Sequence, residues 1–240
     1  MDEIKVLQEW VDDSRSIVFF GGAGVSTESG IPDFRSVDGL YSQKYDWPPE
    51  EILSRTFFDR HPEGFYRFYR EKMCFQGAKP NAAHRKLAEL EAAGKLRSVV
   101  TQNIDGLHQV AGSKRVWELH GSVLRNSCMK CRRPYTLQAV LESVGVPTCN
   151  CGGIVKPDVV LYEESLDSDV LRGALTDIQG ADMLIIGGTS LMVYPAANLV
   201  NYYQGHRLVL INKSPTPYDT RADLVIAGAI GEILGQIQVR

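Results

Sequence analysis

The sequence predicts an α/β fold, in which a parallel sheet carries helices on both faces and a smaller lobe is inserted. Short apolar runs that end in small or polar residues alternate with helical patterns, which is typical of parallel sheets. A glycine-rich turn follows the first of these runs. Four cysteines stand in a stretch with little continuous apolar pattern, which indicates the inserted lobe.

The composition limits the classes of function. Of the 240 residues, 44% are hydrophobic and 23% are charged, as in ordinary globular proteins. A net charge of -3 gives no general attraction to nucleic acid or to anionic membranes. No apolar stretch reaches the length of a membrane span, and the first residues are acidic, unlike a signal peptide. We therefore expect a soluble, cytoplasmic monomer without direct nucleic-acid or membrane partners.

The first strand candidate and the turn after it are the most informative segment. Residues 16–20 have the β-branched and aromatic composition of a buried strand, and the glycine-rich run Gly21–Gly30 follows. Such glycines let backbone N–H groups approach a dinucleotide's pyrophosphate, and the next helix offers its positive N-terminal end. Thr27 replaces the usual third glycine, so an ordinary strand-to-helix turn is the alternative. A dinucleotide site would make the sheet Rossmann-like.

Further elements follow the same alternation. Asn81 is a candidate cap for a helix with an apolar face, and Gly94 closes that helix. The other strand candidates are Leu96–Thr101, Met183–Gly187, Leu208–Asn212 and Leu224–Ala227. An aromatic stripe at helical spacing indicates core and not a cofactor contact; it comprises Phe65, Phe68, Tyr69 and Met73.

The cysteines of the inserted stretch have the spacing of a metal site. Two residues separate Cys128 from Cys131, and 17 residues later Cys149 and Cys151 are separated by one. Two close pairs bring together four thiolates, the donor set of a closed, structural zinc site in a zinc-ribbon module. Disulfides are the alternative, which a reducing cytosol disfavours. Cys74, on the helical stripe, is expected to be a buried free thiol.

Two segments interrupt the α/β alternation and set the predicted domain boundaries. Residues 34–80 are expected to form a loop and a helical module, and residues 122–156 the zinc-binding module. Residues 1–33, 81–121 and 157–240 would form the Rossmann-like domain. Because ligands of open α/β sheets bind at the carboxyl ends of the strands, a lobe inserted there would face the ligand.

A polar run and a single histidine provide the candidate catalytic groups. The run Thr101–His108 carries amide and carboxylate groups where the strand from Leu96 ends. His120, flanked by leucine and glycine, comes shortly after this run and just before the cysteines, where a cleft between the lobes would lie. The histidines expected to be structural are His61, His84 and His206.

In this order the motifs resemble those of the sirtuins, the NAD-dependent protein-lysine deacylases. They cover residues from about 17 to 230. Besides the four cysteines they are Gly22-Ala23-Gly24-x-Ser26, Gly30–Ser36, Thr101–Asp105, Leu119-His120-Gly121, Gly188–Leu191 and Ile211-Asn212. The resemblance implies a deacetylase that consumes NAD, contains one structural zinc and acts on proteins or peptides bearing acetyl-lysine.

The resemblance also implies the contacts with NAD. The first glycines would hold the pyrophosphate, the residues after Gly187 would meet it from the far side, and the polar run would line the nicotinamide pocket. The implied residues are Gly22, Ala23, Gly24, Thr27, Asp33, Phe34, Arg35, Gln102, Asn103, Ile104, Asp105, His120, Gly188, Thr189, Ser190, Asn212 and Ile230. Two alternatives stay open: a surface ion pair between Asp33 and Arg35, and a turn cap at Asn212.

The implied reaction has two stages. The acetyl-lysine carbonyl oxygen attacks the nicotinamide ribose, and nicotinamide leaves. His120, a neutral imidazole near its ordinary pKa of about 6.5, then acts as general base on a ribose hydroxyl. Hydrolysis yields lysine and O-acetyl-ADP-ribose. Asn103, the second candidate catalytic residue, and Gln102 would position the ribose and a water molecule.

The acyl-lysine peptide is expected to bind between the lobes as an added strand. Val159–Tyr162 would form one edge and Met192–Tyr194 the other. The chain departs from the family at Tyr162-Glu163-Glu164, where Phe-Gly-Glu is common. The loss of that glycine leaves the local backbone shape and the peptide preference open.

A second departure concerns the acyl group. Family members that favour succinyl or malonyl groups carry a Tyr-x-x-Arg pair on the helix lining the acyl channel. The matching stretch is Tyr66-Arg67-Phe68-Tyr69, with tyrosine in the place of arginine. A negative acyl tail would lack its cation there, so we expect a preference for acetyl and other uncharged groups, unless Arg67 or Arg70 reaches the channel.

Three other functions compete with deacetylation. A mono-ADP-ribosyltransferase on the same scaffold would share nicotinamide cleavage. A non-catalytic sensor of NAD or ADP-ribose would need no base at the ribose. A hydride-transferring dehydrogenase is disfavoured, because the acids about 20 residues after the glycines flank Trp47-Pro48-Pro49, which cannot lie inside a strand.

Overall fold

The computed structural model describes residues 2–34, 39–40 and 45–240. The strands are β1 (Ile17–Gly21), β2 (Leu96–Thr101), β3 (Val116–Glu118), β4 (Gly121–Cys128), β5 (Pro134–Thr136), β6 (Val155–Val159), β7 (Met183–Gly187), β8 (Leu208–Asn212) and β9 (Leu224–Ala227). The α-helices are α1 (Glu3–Asp13), α2 (Pro49–Ile52), α3 (Arg55–Arg60), α4 (Pro62–Lys72), α5 (Ala82–Ala92), α6 (Leu107–Ala111), α7 (Leu137–Glu142), α8 (Ser168–Gln179) and α9 (Ile230–Gly235). Within the described ranges, none of the helices combines the length and apolarity needed to cross a bilayer.

Six of the described strands form one parallel sheet in the order β3-β2-β1-β7-β8-β9. Numbered along the chain within this sheet, the order is 3-2-1-4-5-6, that of the doubly wound Rossmann fold. The order reverses between β1 and β7, which pair from Ile17 with Met183 to Gly21 with Gly187. Dinucleotides bind outside the carboxyl ends of the strands at such a reversal. The predicted fold class is confirmed, and the glycine run begins at the expected point.

Residues of each central strand alternate between two hydrophobic cores, one on each face of the sheet. Ile17 and Phe19 of β1 pack in one core with α1, α5 and α9, whereas Val18 and Phe20 pack in the other with α8. All four side chains are completely buried. Because both faces are covered, the strand is apolar at consecutive positions and does not alternate with polar residues.

Helix α5 has the ends that the sequence predicts. The Asn81 side chain accepts the N–H of Ala83 at 2.9 Å, and Nδ1 of His84 accepts the N–H of Asn81 at 3.3 Å, which completes a capping box. Gly94 follows the helix with φ of 74°, a left-handed conformation that glycine adopts without steric cost. His84 is therefore structural, as expected.

The segment after β1 differs from the expectation of a helix. Two short 3₁₀ turns, Ala23–Val25 and Thr27–Ser29, stand there instead. The chain turns towards the end of β7, where Gly24 donates its N–H to the carbonyl of Gly188 at 2.8 Å. A Cβ on Gly24 would lie 2.8 Å from the same oxygen, so this approach requires glycine. The backbone N–H groups that follow β1 therefore belong to short turns and not to the first turn of a long helix.

The helical segment and the cysteine segment share a third core. An antiparallel sheet, β5-β4-β6, packs against the aromatic side chains of α3 and α4. The predicted stripe of Phe65, Phe68, Tyr69 and Met73 is buried there. Cys74 lies beyond the end of α4 and is half-buried, less than expected. The domain boundaries themselves stay predictions.

A buried carboxylate fastens the edge strand β3, which leads to His120. Asp177 on α8 is fully buried and accepts hydrogen bonds of 2.7 Å from Arg97, Arg115 and Trp117. Burial raises the pKa of Asp177, but the hydrogen bonds from Arg115, Trp117 and Arg97 outweigh it and leave the pKa below its ordinary value. The charged carboxylate thus holds β2 and β3 against α8.

Candidate active site

His120 lies in the turn between β3 and β4, at the carboxyl edge of the large sheet. Its Nδ1 is 3.0 Å from the carbonyl oxygen of Gln102, the residue after β2. Because a carbonyl only accepts, Nδ1 carries the proton, and Nε2 of the neutral ring holds the lone pair. Burial lowers the pKa of His120 more than the bond to Gln102 raises it. The expected pKa near 6.5 is wrong, and the ring is neutral at pH 7, as a general base requires.

One hydroxyl joins the glycine loop to the polar run after β2. Ser26 donates to Oδ2 of Asp105 at 2.7 Å and accepts from Nδ2 of Asn103 at 3.1 Å. The other oxygen of Asp105 accepts the N–H of Leu107 at 2.9 Å, so both carboxylate oxygens are oriented. Ser26 is absent from the residues predicted for the site. The signal for it was its place in the Gly-Ala-Gly-x-Ser run.

The ends of three strands meet so closely that a side chain fits poorly between them. A Cβ on Gly22 would lie 2.8 Å from Cβ of Thr189 and 2.9 Å from Oε1 of Gln102. Thr189 donates to that Oε1 at 3.1 Å, while Nε2 of Gln102 is buried without a hydrogen-bond partner among the described residues. A buried, unpaired amide beside a glycine cradle fits a polar ligand with phosphate and ribose groups.

The structure brings the other predicted phosphate contacts to the same edge. Thr27 donates its hydroxyl to the carbonyl of Gly24 at 3.0 Å, and Ala23 lies in the turn before it. Gly188 has φ of 58°, and a Cβ there would lie 2.4 Å from the amide nitrogen of Val25. Ser190 follows, half-buried.

Two of the residues predicted around the nicotinamide border the third core. Phe34 and Ile104 are half-buried and pack against the core shared by the helical and cysteine segments. The carbonyl of Asp33 accepts the N–H of Leu40 at 2.9 Å. Arg35 lies outside the described residues, so the proposed ion pair with Asp33 stays open.

Two residues predicted at the adenine end have contacts of their own. Asn212 donates to the carbonyl of Ser214 at 2.8 Å, the contact that the turn-cap alternative expects. Ile230, the first residue of α9, is 2% exposed and packs in the core that also contains α1 and α5. Glu28, which was not predicted, accepts the N–H of Gly231 at 2.7 Å and ties α9 to the glycine loop. The roles of Asn212 and Ile230 in binding adenosine stay predictions.

The four inserted cysteines form one cluster. Their sulfur atoms all lie within 4.8 Å of one another. The Sγ atoms of Cys128 and Cys151 are 3.4 Å apart, and those of Cys131 and Cys149 are 3.6 Å apart. Sulfurs about 2.3 Å from a tetrahedral zinc ion are about 3.8 Å apart. The donor set and its spacing fit one structural zinc with no open coordination position.

The predicted peptide edge after β6 uses its backbone donors within the chain. The N–H of Val160 bonds to the carbonyl of His120 at 3.0 Å, and that of Leu161 to the carboxylate of Glu164 at 2.9 Å. The N–H of Tyr162 bonds to the carbonyl of Leu53 at 3.0 Å. These three N–H groups are thus engaged within the chain, and the peptide edge over Val159–Tyr162 stays a prediction. On the other predicted edge, Met192 and Tyr194 are 54% and 59% exposed.

Comparison with known proteins agrees with this architecture. The model of the Sir2 family matches residues 22–195. An NAD-dependent protein deacetylase of Clostridium perfringens (strain 13 / Type A) is 60% identical over 240 residues, covering 98% of this chain and 98% of the relative. A protein of the same name from Clostridium acetobutylicum is 59% identical over 238 residues, covering 98% and 97%.

Solved structures give the same result. A Sir2 with a p53 peptide and NAD⁺ superposes with a TM-score of 0.86 at 42% identity, covering 96% of this chain and 95% of that one. A Sir2 with deacetylated p53 peptide and 3'-O-acetyl-ADP-ribose has a TM-score of 0.89 at 42% identity and the same coverage. The family model, the relatives and the shared fold together show that this chain belongs to the Sir2 family.

Proposed function

We propose that this chain is an NAD-dependent protein-lysine deacetylase, which transfers the acetyl group of acetyl-lysine to ADP-ribose and releases nicotinamide. The observation that carries the proposal is the imidazole of His120, fixed through Nδ1 on Gln102 beside the glycine cradle. The relatives named NAD-dependent protein deacetylase support it, as do the Sir2 structures containing NAD⁺ or acetyl-ADP-ribose.

Each group at the edge of the sheet has a role in this proposal. NAD, when bound, supplies an electrophilic ribose carbon and nicotinamide as leaving group. His120 accepts a proton from a ribose hydroxyl at Nε2, because the bond to Gln102 keeps the proton on Nδ1. Asn103, whose amide is oriented by Ser26, positions the ribose and a water molecule. Asp105, oriented by the same serine, receives the nicotinamide carboxamide.

The test is to incubate the chain with an acetyl-lysine peptide, with and without NAD, and to identify the products by mass spectrometry. We expect deacetylated peptide, nicotinamide and O-acetyl-ADP-ribose in equal amounts, and only when NAD is present. A peptide carrying ADP-ribose would instead indicate the transferase. NAD binding without nicotinamide release would indicate the sensor. Either result would overturn the proposal.

Three finer points belong to the same proposal: a cytoplasmic location, a monomeric chain and no direct contact with nucleic acid. The net charge of -3 supports the last of these, because the chain lacks the general excess of cations that attracts phosphate backbones. Sedimentation equilibrium should give the mass of one chain. A dimer at micromolar concentration would contradict the monomer.

A further inference from the structure

Glu163 stands where the family commonly has glycine, and its backbone keeps the conformation that glycine favours. Its φ is 74°, in the left-handed region, which is strained for a residue with a Cβ. Its carboxylate accepts the N–H of Thr56 at 2.8 Å, in the first turn of α3. Hydrogen bonds from the side chain and backbone of Thr56 lower the pKa of Glu163. The loop is therefore attached to α3 by a charged carboxylate.

The neighbours of Glu163 are attached to the same helix. Tyr162 accepts the N–H of Arg55 at 3.0 Å in a short parallel bridge beside Ser54. Glu164 pairs with Arg55 at 3.2 Å and with Lys156 of β6 at 3.0 Å. Three consecutive residues thus bond to the start of α3.

The same loop leads directly to the catalytic histidine. Val160, three residues before Glu163, donates its N–H to the carbonyl of His120 at 3.0 Å. Between them lies Tyr162, whose side chain is 39% exposed although it is large and apolar. The position of residues 160–162 is thus set by His120 at one end and by α3 at the other.

We propose that Glu163 is a positioning residue for the acyl-lysine peptide: its carboxylate, bonded to Thr56, holds residues 160–162 where the peptide binds. This inference rests on the proposed function, because it takes the peptide as the ligand of this loop. Alanine also has a Cβ, so Glu163→Ala keeps the left-handed strain and removes only the carboxylate. Glu163→Gln keeps an oxygen that can accept the N–H of Thr56.

The experiment measures peptide and NAD kinetics of the full chain and of three variants, together with the dissociation constant of a fluorescent acetyl-lysine peptide. For Glu163→Ala we expect the peptide KM and dissociation constant to rise roughly threefold to tenfold, the range of a lost helix-cap bond. The kcat and the KM for NAD should stay within about twofold of wild type, because the proposed catalytic and NAD-binding residues follow strands other than β6. Glu163→Gln should restore peptide binding to within about twofold of wild type.

The matched control is Asp167→Ala. Asp167 is an exposed carboxylate that caps α8 through the N–H groups of Asp169 and Val170, and its pKa is likewise lowered by those bonds. The substitution Asp167→Ala should lower the free energy of unfolding without changing the peptide KM. Glu163→Ala with an unchanged peptide KM, or Asp167→Ala with an equal increase, would overturn the proposal for Glu163. A wild type that binds peptide without releasing nicotinamide would overturn the proposed function alone, and the dissociation constants would still decide the role of Glu163.

Discussion

In His120, Nδ1 is hydrogen-bonded within the chain, and Nε2 is the nitrogen proposed to act as general base. The bond from Nδ1 to Gln102 fixes the tautomer, and burial keeps the ring neutral near pH 7. We predict that His120→Ala lowers deacetylation by about 10²–10⁴-fold, the contribution typical of a general base, while the affinity for NAD changes little. Steady-state kinetics and NAD titration calorimetry measure the two effects.

The control for that substitution is His206→Ala, because His206 is an exposed histidine. Its turnover should equal that of wild type. If His120→Ala also turned over at the wild-type rate, the assignment of the base would be wrong.

Among the elements, α4 decides the predicted acyl preference. Tyr66 and Tyr69 are buried, and Arg70 donates to three oxygens at the end of α7 at 2.7–3.1 Å. Arg67 is 76% exposed and lies 3.8 Å from Asp46. Arg67 is therefore engaged away from the buried tyrosines. The guanidinium of Arg70 lies over the Tyr66 ring, 5.2 Å from its centroid, while it donates to those oxygens. The preference for acetyl and other uncharged groups stays a prediction.

We predict that an acetyl-lysine peptide is turned over at least about tenfold faster than the matching succinyl-lysine peptide. An unpaired carboxylate in a buried channel is costly, and each 1.4 kcal/mol or so corresponds to a factor of ten. The measurement compares kcat/KM for both peptides, with a propionyl peptide as the uncharged control of similar size. Faster removal of succinyl groups would show that α4 has been matched incorrectly.

A pair of buried histidines between α5 and α6 makes the stability of the fold depend on pH. The rings of His84 and His108 are 4.7 Å apart and buried, and Nε2 of His84 and both nitrogens of His108 lack hydrogen-bond partners among the described residues. Burial lowers the pKa of His84 to about 4 and that of His108 to about 3. Below pH 6.5 the unfolded chain therefore binds protons that the folded chain excludes. The free energy of unfolding consequently decreases as the pH is lowered.

We predict that, as the pH is lowered, the free energy of unfolding decreases less steeply in His108→Leu than in wild type. Between pH 6 and 4 the slopes should differ by about 1.4 kcal/mol per pH unit, the value for one proton. Urea denaturation across this pH range is the measurement. Equal slopes for His108→Leu and wild type would contradict the prediction.

In the whole molecule, the cysteine cluster supports a core separate from those of the large sheet. Cys128 and Cys149 belong to the core that also contains the aromatic side chains of α3 and α4. Because structural zinc contributes directly to folding energy, its removal should loosen this core first. The two cores of the large sheet contain none of the four cysteines.

We predict one zinc per chain and a selective loss of structure when a chelator removes it. Amide hydrogen exchange should increase in β4 and β6, while β1 and β7 keep their protection. Chelator saturated with zinc is the control treatment, and Cys74→Ser should keep one zinc per chain because Cys74 is outside the cluster. Equal loss of protection in both sheets, or no bound zinc, would contradict the prediction.

Much of the fold was predictable because it is local. Apolar runs predicted the central strands to within a residue or two, since a strand buried on both faces leaves a continuous apolar pattern. The spacing of four cysteines predicted their cluster, because two close pairs need little of the chain to meet. Site residues were predictable mainly through motifs, and their individual roles stay predictions.

Other features depend on distances between segments far apart in sequence. The sequence alone determined the fold class, the four cysteines that cluster and which histidine to test, since composition, spacing and motif order are properties of the chain. Only the tertiary structure decided that Ser26 orients Asp105, that burial lowers the pKa of His120, and that Glu163 keeps a glycine-like backbone by bonding to α3. Those outcomes depend on burial and on partners 79 or 107 residues away, which a one-dimensional pattern does not specify.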